Sequence, residues 1–277
     1  MKILLAVDAS PDSKNAAQIV RQFAEPASVD VLNVVDEDAL KHAYISPEMP
    51  ASYVESYRRE VSEAAERTLH EVKQELAGVC PHIRLIADTG DAAESIVETA
   101  EEARSDLIVV GQRGMTATPS FLLGGVSQKV ATYAPCSVLV VKAAVEKLER
   151  LVVAVDGSPN AQKTIKFLAR NPFKPPLDVT IVTVWPQPHL EESEIVQRKG
   201  EELLGRMAKE LMPGIYRVQT EMLTGDPAFM ILEAAVRRSA QLIIVGSRGM
   251  KAIKRFFLGS VSEKILVHAT CSVLIIR

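Results

Sequence analysis

Gly246-Ser-Arg-Gly249 is followed by nine residues, Met250 to Leu258, and then by Gly259-Ser260-Val261-Ser262. Earlier in the chain Gly111-Gln-Arg-Gly114, nine residues (Met115 to Leu123) and Gly124-Gly125-Val126-Ser127 repeat the arrangement. The first glycine pair of each series lets the backbone turn tightly and approach a ligand closely. The second cluster stands where a helix is expected to open, and the free N–H groups and positive dipole end of a helix start suit a phosphate. Ser260 and Ser262 add hydroxyl donors there, and Arg248, Lys251, Lys254 and Arg255 surround the series with positive charge. A single such series also reads as an ordinary strand-to-helix turn. Two copies at the same spacing strengthen the chemical reading, although a shared fold alone can preserve spacing.

Few other residues offer chemistry. No nucleophile–base pair or metal-bound centre can be assembled from the sequence, so no catalytic residue and no metal site are expected. The five histidines lack metal-ligand spacing, and His268 aligns by repeat with Tyr133, a structural place on the last helix. Cys136 and Cys271 also align by repeat and read as packing residues, whereas Cys80 has no counterpart. Trp185 reads as a packing residue, with a position over a nucleotide as the alternative. Asp8 and Asp156 read either as site residues or as caps of the turn that follows them. Glu191-Glu192-Ser193-Glu194 reads as a solvated helix start. Neither a Walker A nor a GxGxxG match occurs.

The elements that carry these residues follow from the repeat. Leu107–Met115 and Leu242–Met250 are identical at seven of nine positions, and Cys136-Ser-Val-Leu-Val-Val141 matches Cys271-Ser-Val-Leu-Ile-Ile276. Leu5-Ala-Val-Asp-Ala-Ser-Pro11 matches Val153-Ala-Val-Asp-Gly-Ser-Pro159. The offset falls from 148 (156 minus 8) to 135 (246 minus 111), so the second copy is 13 residues shorter. The extra length is expected after the second strand, in the Pro-containing segment Ala43 to Tyr53. Domains are expected over 1–143 and 149–277, with a short charged link from Ala143 to Arg150. Strands are expected near 2–7, 29–35, 82–88, 106–110 and 137–142, and again near 151–155, 178–184, 216–223, 241–245 and 272–276. Helices are expected near 11–24, 52–77, 92–104 and 126–133. Apolar runs such as Leu242-Ile-Ile-Val245 do not alternate in polarity, so these strands are covered on both faces, which means a parallel sheet between helix layers. Ser10-Pro11, Ser158-Pro159 and Asp226-Pro227 mark helix starts, and Asp91 caps another.

Composition sets outer bounds. Hydrophobic residues are 47% and charged residues 24%, an ordinary globular balance. The net charge of -3 gives no electrostatic footprint for nucleic acid or an anionic membrane surface. The N-terminal apolar run is too short for a secretory signal, and no stretch approaches the length of a membrane span. Three cysteines without a CxxC pair fit a reducing compartment, so a cytoplasmic location is expected.

The G-2x-G-9x-G-S pattern after the fourth strand, Val-Asp at the end of the first and Cys-Ser-Val-Leu in the last resemble the universal stress protein family. The likeness covers both halves, and the glycine pattern is that of the ATP-binding branch. The resemblance implies two tandem Rossmann-like domains of the adenine nucleotide α-hydrolase type, each a five-stranded parallel sheet of order 3-2-1-4-5 with helices on both faces. Ligands in such sheets bind beyond the strand carboxyl ends where the order reverses. By the same likeness Ala154, Val155, Asp156 and Val184 line an adenine pocket. Val245, Gly246, Arg248 and Gly249 wrap the ribose and phosphates, and Gly259, Ser260, Val261 and Ser262 hold the phosphate tail. The matching positions of the first half are Ala6, Val7, Asp8, Val34, Val110, Gly111, Arg113, Gly114, Gly124, Gly125, Val126 and Ser127. The cofactor so implied is ATP, with Mg2+ on its phosphates, in a stress-response module that signals by occupancy and turns ATP over slowly at most. Family domains pair through their last strands, which implies internal pairing of the two halves and leaves room for a homodimer of whole chains.

The first half departs from the pattern twice. Gly125 replaces the Ser/Thr, and the loop Met115-Thr-Ala-Thr-Pro-Ser-Phe-Leu-Leu123 carries no cation. The C-terminal half is therefore expected to bind the nucleotide more tightly. A nucleotide-free scaffold or small-ligand binder of the same fold is the alternative. An enzyme of the wider α-hydrolase-like group fits less well, because Asp156-Gly-Ser-Pro159 lacks a Ser-Gly-Gly series and no HIGH-type motif occurs.

Overall fold

Strand β1 shows why the sheet is covered twice. Ile3 and Leu5 turn into one apolar cluster and Leu4 into another, and all three are buried. The computed structural model describes residues 1–36, 51–115, 122–186, 193–212, 214–249 and 258–277. The first half runs β1 (Lys2–Ala6), α1 (Pro11–Val20), β2 (Ser28–Val35), α2 (Ala51–Glu75), β3 (Ile83–Thr89), α3 (Ala92–Glu102), β4 (Leu107–Gly111), α4 (Gly125–Tyr133) and β5 (Ser137–Val141). The second runs β6 (Arg150–Ala154), α5 (Pro159–Ala169), β7 (Leu177–Trp185), α6 (Ser193–Leu211), β8 (Tyr216–Thr224), α7 (Pro227–Arg237), β9 (Leu242–Gly246), α8 (Ser260–His268) and β10 (Ser272–Ile276). Helix α2 has 25 residues against 19 in α6, so part of the extra length of the first copy is helical. Most of the expected insertion, residues 43–50, lies outside the described residues.

Within each half all strand pairs are parallel, in the order β3-β2-β1-β4-β5 and, mirrored, β10-β9-β6-β7-β8. The fold is α/β with the 3-2-1-4-5 order in both halves. Strands β5 and β10 then pair antiparallel, with Leu139 opposite Leu274, and join the halves into one ten-stranded sheet. Helices α1, α2, α5 and α6 cover one face and α3, α4, α7 and α8 the other. Each cluster runs unbroken across the junction. Burial of that much aliphatic surface is the main favourable term in folding.

The four expected caps are in place. The Ser10 and Ser158 hydroxyls accept from Ser13 and Ala161 N–H, and the Asp91 and Asp226 carboxylates cap α3 and α7. Helix α1 stops at Val20, four residues short of the expected end at 24. Residues 22–24 are used at the junction instead. Phe23 stacks on Phe173 at 4.8 Å between ring centres, Ala24 N–H donates to the Pro172 carbonyl and Lys174 N–H to the Gln22 carbonyl. The link is held too, with Val145 and Leu148 buried and the Gln22 side chain bonded to Glu146 and Leu148 backbone.

Candidate functional site

The order of each sheet reverses between its first and fourth strands, and the expected site residues gather at the carboxyl ends of those two strands. In the second half Ala154 ends β6 and Val245 and Gly246 end β9. Asp156 follows two residues after β6, and Val184 lies two residues past the β7 partner of Ala154. Gly259 is the N-cap of α8, and Ser260, Val261 and Ser262 form its first turn. The first half repeats this with Ala6, Val7, Asp8 and Val34 beside Val110 and Gly111, and with Gly124, Gly125, Val126 and Ser127 at the start of α4. Lys251, Lys254 and Arg255, and most of the nine-residue loop of the first half, lie outside the described residues.

The first glycine pair of each series is explained by the protein itself. A Cβ on Gly111 would stand 2.7 Å from the Asp12 backbone carbon, and one on Gly246 2.9 Å from the Asn160 Cβ. A Cβ on Gly114 would stand 2.7 Å from Asp8 Oδ2, and one on Gly249 2.5 Å from Asp156 Oδ2. The loop after the fourth strand is thus pressed against the turn after the first, and only glycine fits under it. None of the four has a positive φ, so the close approach, and not a tight turn, sets the residue type.

Both aspartates close turns. Asp8 Oδ1 accepts from Ser10 N–H at 3.0 Å and from the Ser10 hydroxyl, and its Oδ2 accepts from Met115 N–H at 3.0 Å. Asp156 Oδ1 accepts from Ser158 N–H at 2.9 Å. The buried serines of the first turn are likewise engaged. Ser262 donates its hydroxyl to the Gly246 carbonyl at 2.7 Å, and Ser127 donates to the carbonyls of Gln112 and Gly124. The Ser262 hydroxyl, expected as a ligand donor, has its proton on the Gly246 carbonyl and ties α8 to β9. Ser260 is exposed, and its hydroxyl has no such tie among the described residues.

Helices α4 and α8 differ from the other capped helices. Their N-caps are Gly124 and Gly259, with no side-chain cap bond, whereas Ser10, Asp91, Ser158 and Asp226 supply one elsewhere. The first helical bond of α8 is Glu263 N–H to the Gly259 carbonyl. The N–H groups of Ser260, Val261 and Ser262 precede it and have no partner within the helix. Gly259 N–H is spent on the Ser247 carbonyl at 2.8 Å, which draws the start of α8 onto the loop after β9.

Two residues that sequence reasoning passed over matter here. Asp12 Oδ2 accepts from the Arg113 backbone N–H at 3.1 Å and faces its Nε at 3.4 Å, so the arginine of the first half has a carboxylate partner. The repeat-equivalent Asn160 instead donates its amide to the Arg248 carbonyl at 3.1 Å and brings no charge. The available signal was the Asp/Asn change at one repeat position, directly after Ser-Pro in both copies. Elsewhere burial pushes the Cys136 thiol up to about 12 and the Cys271 thiol up to about 11, which suits packing and not reactivity. Trp185 packs its Nε1 edge against Gly200 of α6. Among the described residues no cluster of His, Cys, Asp and Glu could hold a metal ion, and no helix is long and apolar enough to cross a membrane.

Fold and site together define a tandem α/β protein with an uncapped helix start at the switch point of each sheet. The family model described as universal stress protein family matches residues 1–142 and again 147–277, and the chain belongs to that family. A universal stress protein of Mycolicibacterium smegmatis is 29% identical over 99% of this chain and 96% of its own length. One from Methanocaldococcus jannaschii is 36% identical over 31% of this chain, which spans 50% of that relative. The crystal structure of a universal stress protein from Archaeoglobus fulgidus superposes with a TM-score of 0.71 at 24% identity, over 100% of this chain and 96% of that one, a likeness of fold.

Proposed function

We propose that this protein is an ATP-binding regulatory module of the stress-response type, with adenine nucleotide held mainly in the second half. The observation that carries the reading is the start of α8. Three N–H groups there, on Ser260, Val261 and Ser262, are left without a side-chain cap beside Arg248, while the starts of α5 and α7 in the same half are capped by Ser158 and Asp226. A helix N-terminus in that state favours an anion through its free donors and its dipole. In this reading Ser260 adds its hydroxyl to the phosphate cradle, Val245, Gly246 and Gly249 border the ribose, and Ala154, Val155, Asp156 and Val184 line the adenine. Lys251, Lys254 and Arg255 supply further charge, and Mg2+ accompanies the phosphates. In this reading occupancy and not turnover is the signal. The setting is cytoplasmic, and association of whole chains into a homodimer belongs to the same proposal.

The first half fits the nucleotide-free alternative better. Gly125 offers no hydroxyl, and Asp12 lies 3.4 Å from the Arg113 guanidinium, where its carboxylate opposes an incoming phosphate. Calorimetric titration of the intact protein with Mg-ATP is expected to show one strong site. Ser260→Ala should weaken it about tenfold, the worth of one hydrogen bond to a charged group. Absence of bound or retained adenine nucleotide at millimolar ligand overturns the reading.

A further inference from the structure

The residue that follows each last strand crosses into the other half. Lys142, one residue past β5, places its ammonium 2.8 Å from the Ala269 carbonyl and 3.3 Å from the Val267 carbonyl, at the C-terminal end of α8. Arg277, one residue past β10, places Nη2 2.6 Å from the Ala131 carbonyl and 2.9 Å from the Thr132 carbonyl, in the last turn of α4. The backbones repeat the exchange. Lys142 N–H donates to the Ser272 hydroxyl at 3.2 Å and Arg277 N–H to the Ser137 hydroxyl at 3.3 Å. These are among the last carbonyls of their helices, which have no partner within the helix and attract a cation.

Among the described N-caps, those of the helices so gripped, Gly124 and Gly259, are the two that make no side-chain cap bond. Each is nine residues long, about 14 Å at the usual rise, so the crossing cation and the three open N–H groups sit at opposite ends of one short rod. A positive charge at the C-terminal end holds that end in place, keeps the last turn from fraying and adds to the positive potential an anion meets at the other end. Strands β5 and β10 are bound edge to edge, so the grip comes from a rigid neighbour.

We propose that Lys142 and Arg277 are positioning residues in trans: each half aims the uncapped helix of the other, and Lys142 so aims the phosphate-facing α8. The inference rests on the nucleotide reading for its ligand, and on the cross-junction hydrogen bonds for its geometry. Burial lowers the Lys142 pKa to about 8, so a charge held there works against stability, and its contribution lies in where it holds α8. Desolvation also lowers the Arg277 pKa, with Arg248 repelling it as the next cause.

Lys142→Met in the intact chain tests this. Mg-ATP affinity of the second half is expected to fall roughly two- to tenfold, the range a helix-end charge spans. Thermal stability should stay level or rise, and Lys142→Arg should restore binding. Amide exchange is expected to quicken over residues 260–268 and to stay unchanged over 125–133, with Arg277→Met giving the mirror pattern. Unchanged exchange in α8 together with unchanged affinity overturns the inference and leaves the nucleotide reading intact. If the wild type binds no ATP while exchange still shifts across the junction, the nucleotide reading falls and the positioning stands. Should Lys142→Met not fold, Lys142→Gln removes the same charge and is read in the same way.

Discussion

At the residue scale the two halves part at one repeat position. Asp12 lies against Arg113, whereas Asn160 donates its amide to the Arg248 carbonyl and carries no charge. A carboxylate a few ångströms from a guanidinium cancels most of its attraction for a phosphate. Asp12→Asn is therefore expected to strengthen nucleotide binding by the first half. Gly125→Ser should add to it, because a Cβ at Gly125 meets nothing within 4 Å and the new hydroxyl would copy Ser260. Together the two changes should gain about tenfold or more. Titration of the double variant checks this, and a second site no stronger than in the wild type counts against it. Sequence spacing located these glycines and serines but not the contacts they make within the protein. Gly114 and Gly249 make room for a carboxylate, and Ser262 ties α8 to β9, because what a side chain meets is set by neighbours far along the chain.

At the element scale, caps and strands were the most legible features. A Ser-Pro or Asp-Pro pair before an apolar period is local chemistry, and all four expected caps hold. The end of α1 was not legible, because a contact with Pro172 and Phe173 ends it and no local breaker does. Asp91 offers a pH test. The Glu94 N–H, followed by Lys129, holds its carboxyl below the ordinary value. A carboxyl with a lowered folded pKa contributes stability that is complete above its unfolded value and is lost as the pH falls through the folded one. Asn caps as well as Asp but carries no charge. Asp91→Asn should therefore cost roughly 0.3 kcal/mol near neutrality, since the group is well exposed, and the difference should vanish on acidification. Urea unfolding of both proteins from about pH 6 to about pH 3 checks this. A gap that persists unchanged at the acid end would contradict it.

At the scale of the whole molecule, the sheet and both apolar clusters run through the junction, so the halves should not unfold independently. Phe173 is fully buried against Phe23 of the other half. Phe173→Ala should cost about 3–5 kcal/mol and lower a single cooperative transition. Two separated transitions in calorimetry, with only that of the second half moved, would show that the domains melt on their own.

The sequence by itself determined the tandem repeat, the order of strands and helices, the covered parallel sheets and the spacing of the glycine series. These depend on local propensity, on periodic apolar patterning and on a copy of the same signals within one chain. Tertiary structure alone decided the register that sets Leu139 against Leu274, the carboxylates beneath Gly114 and Gly249, and the grip of Lys142 and Arg277 on helices of the opposite half. Those contacts join residues about a hundred or more positions apart, and they form only when packing brings the two sheets edge to edge and presses each loop onto the turn beside it.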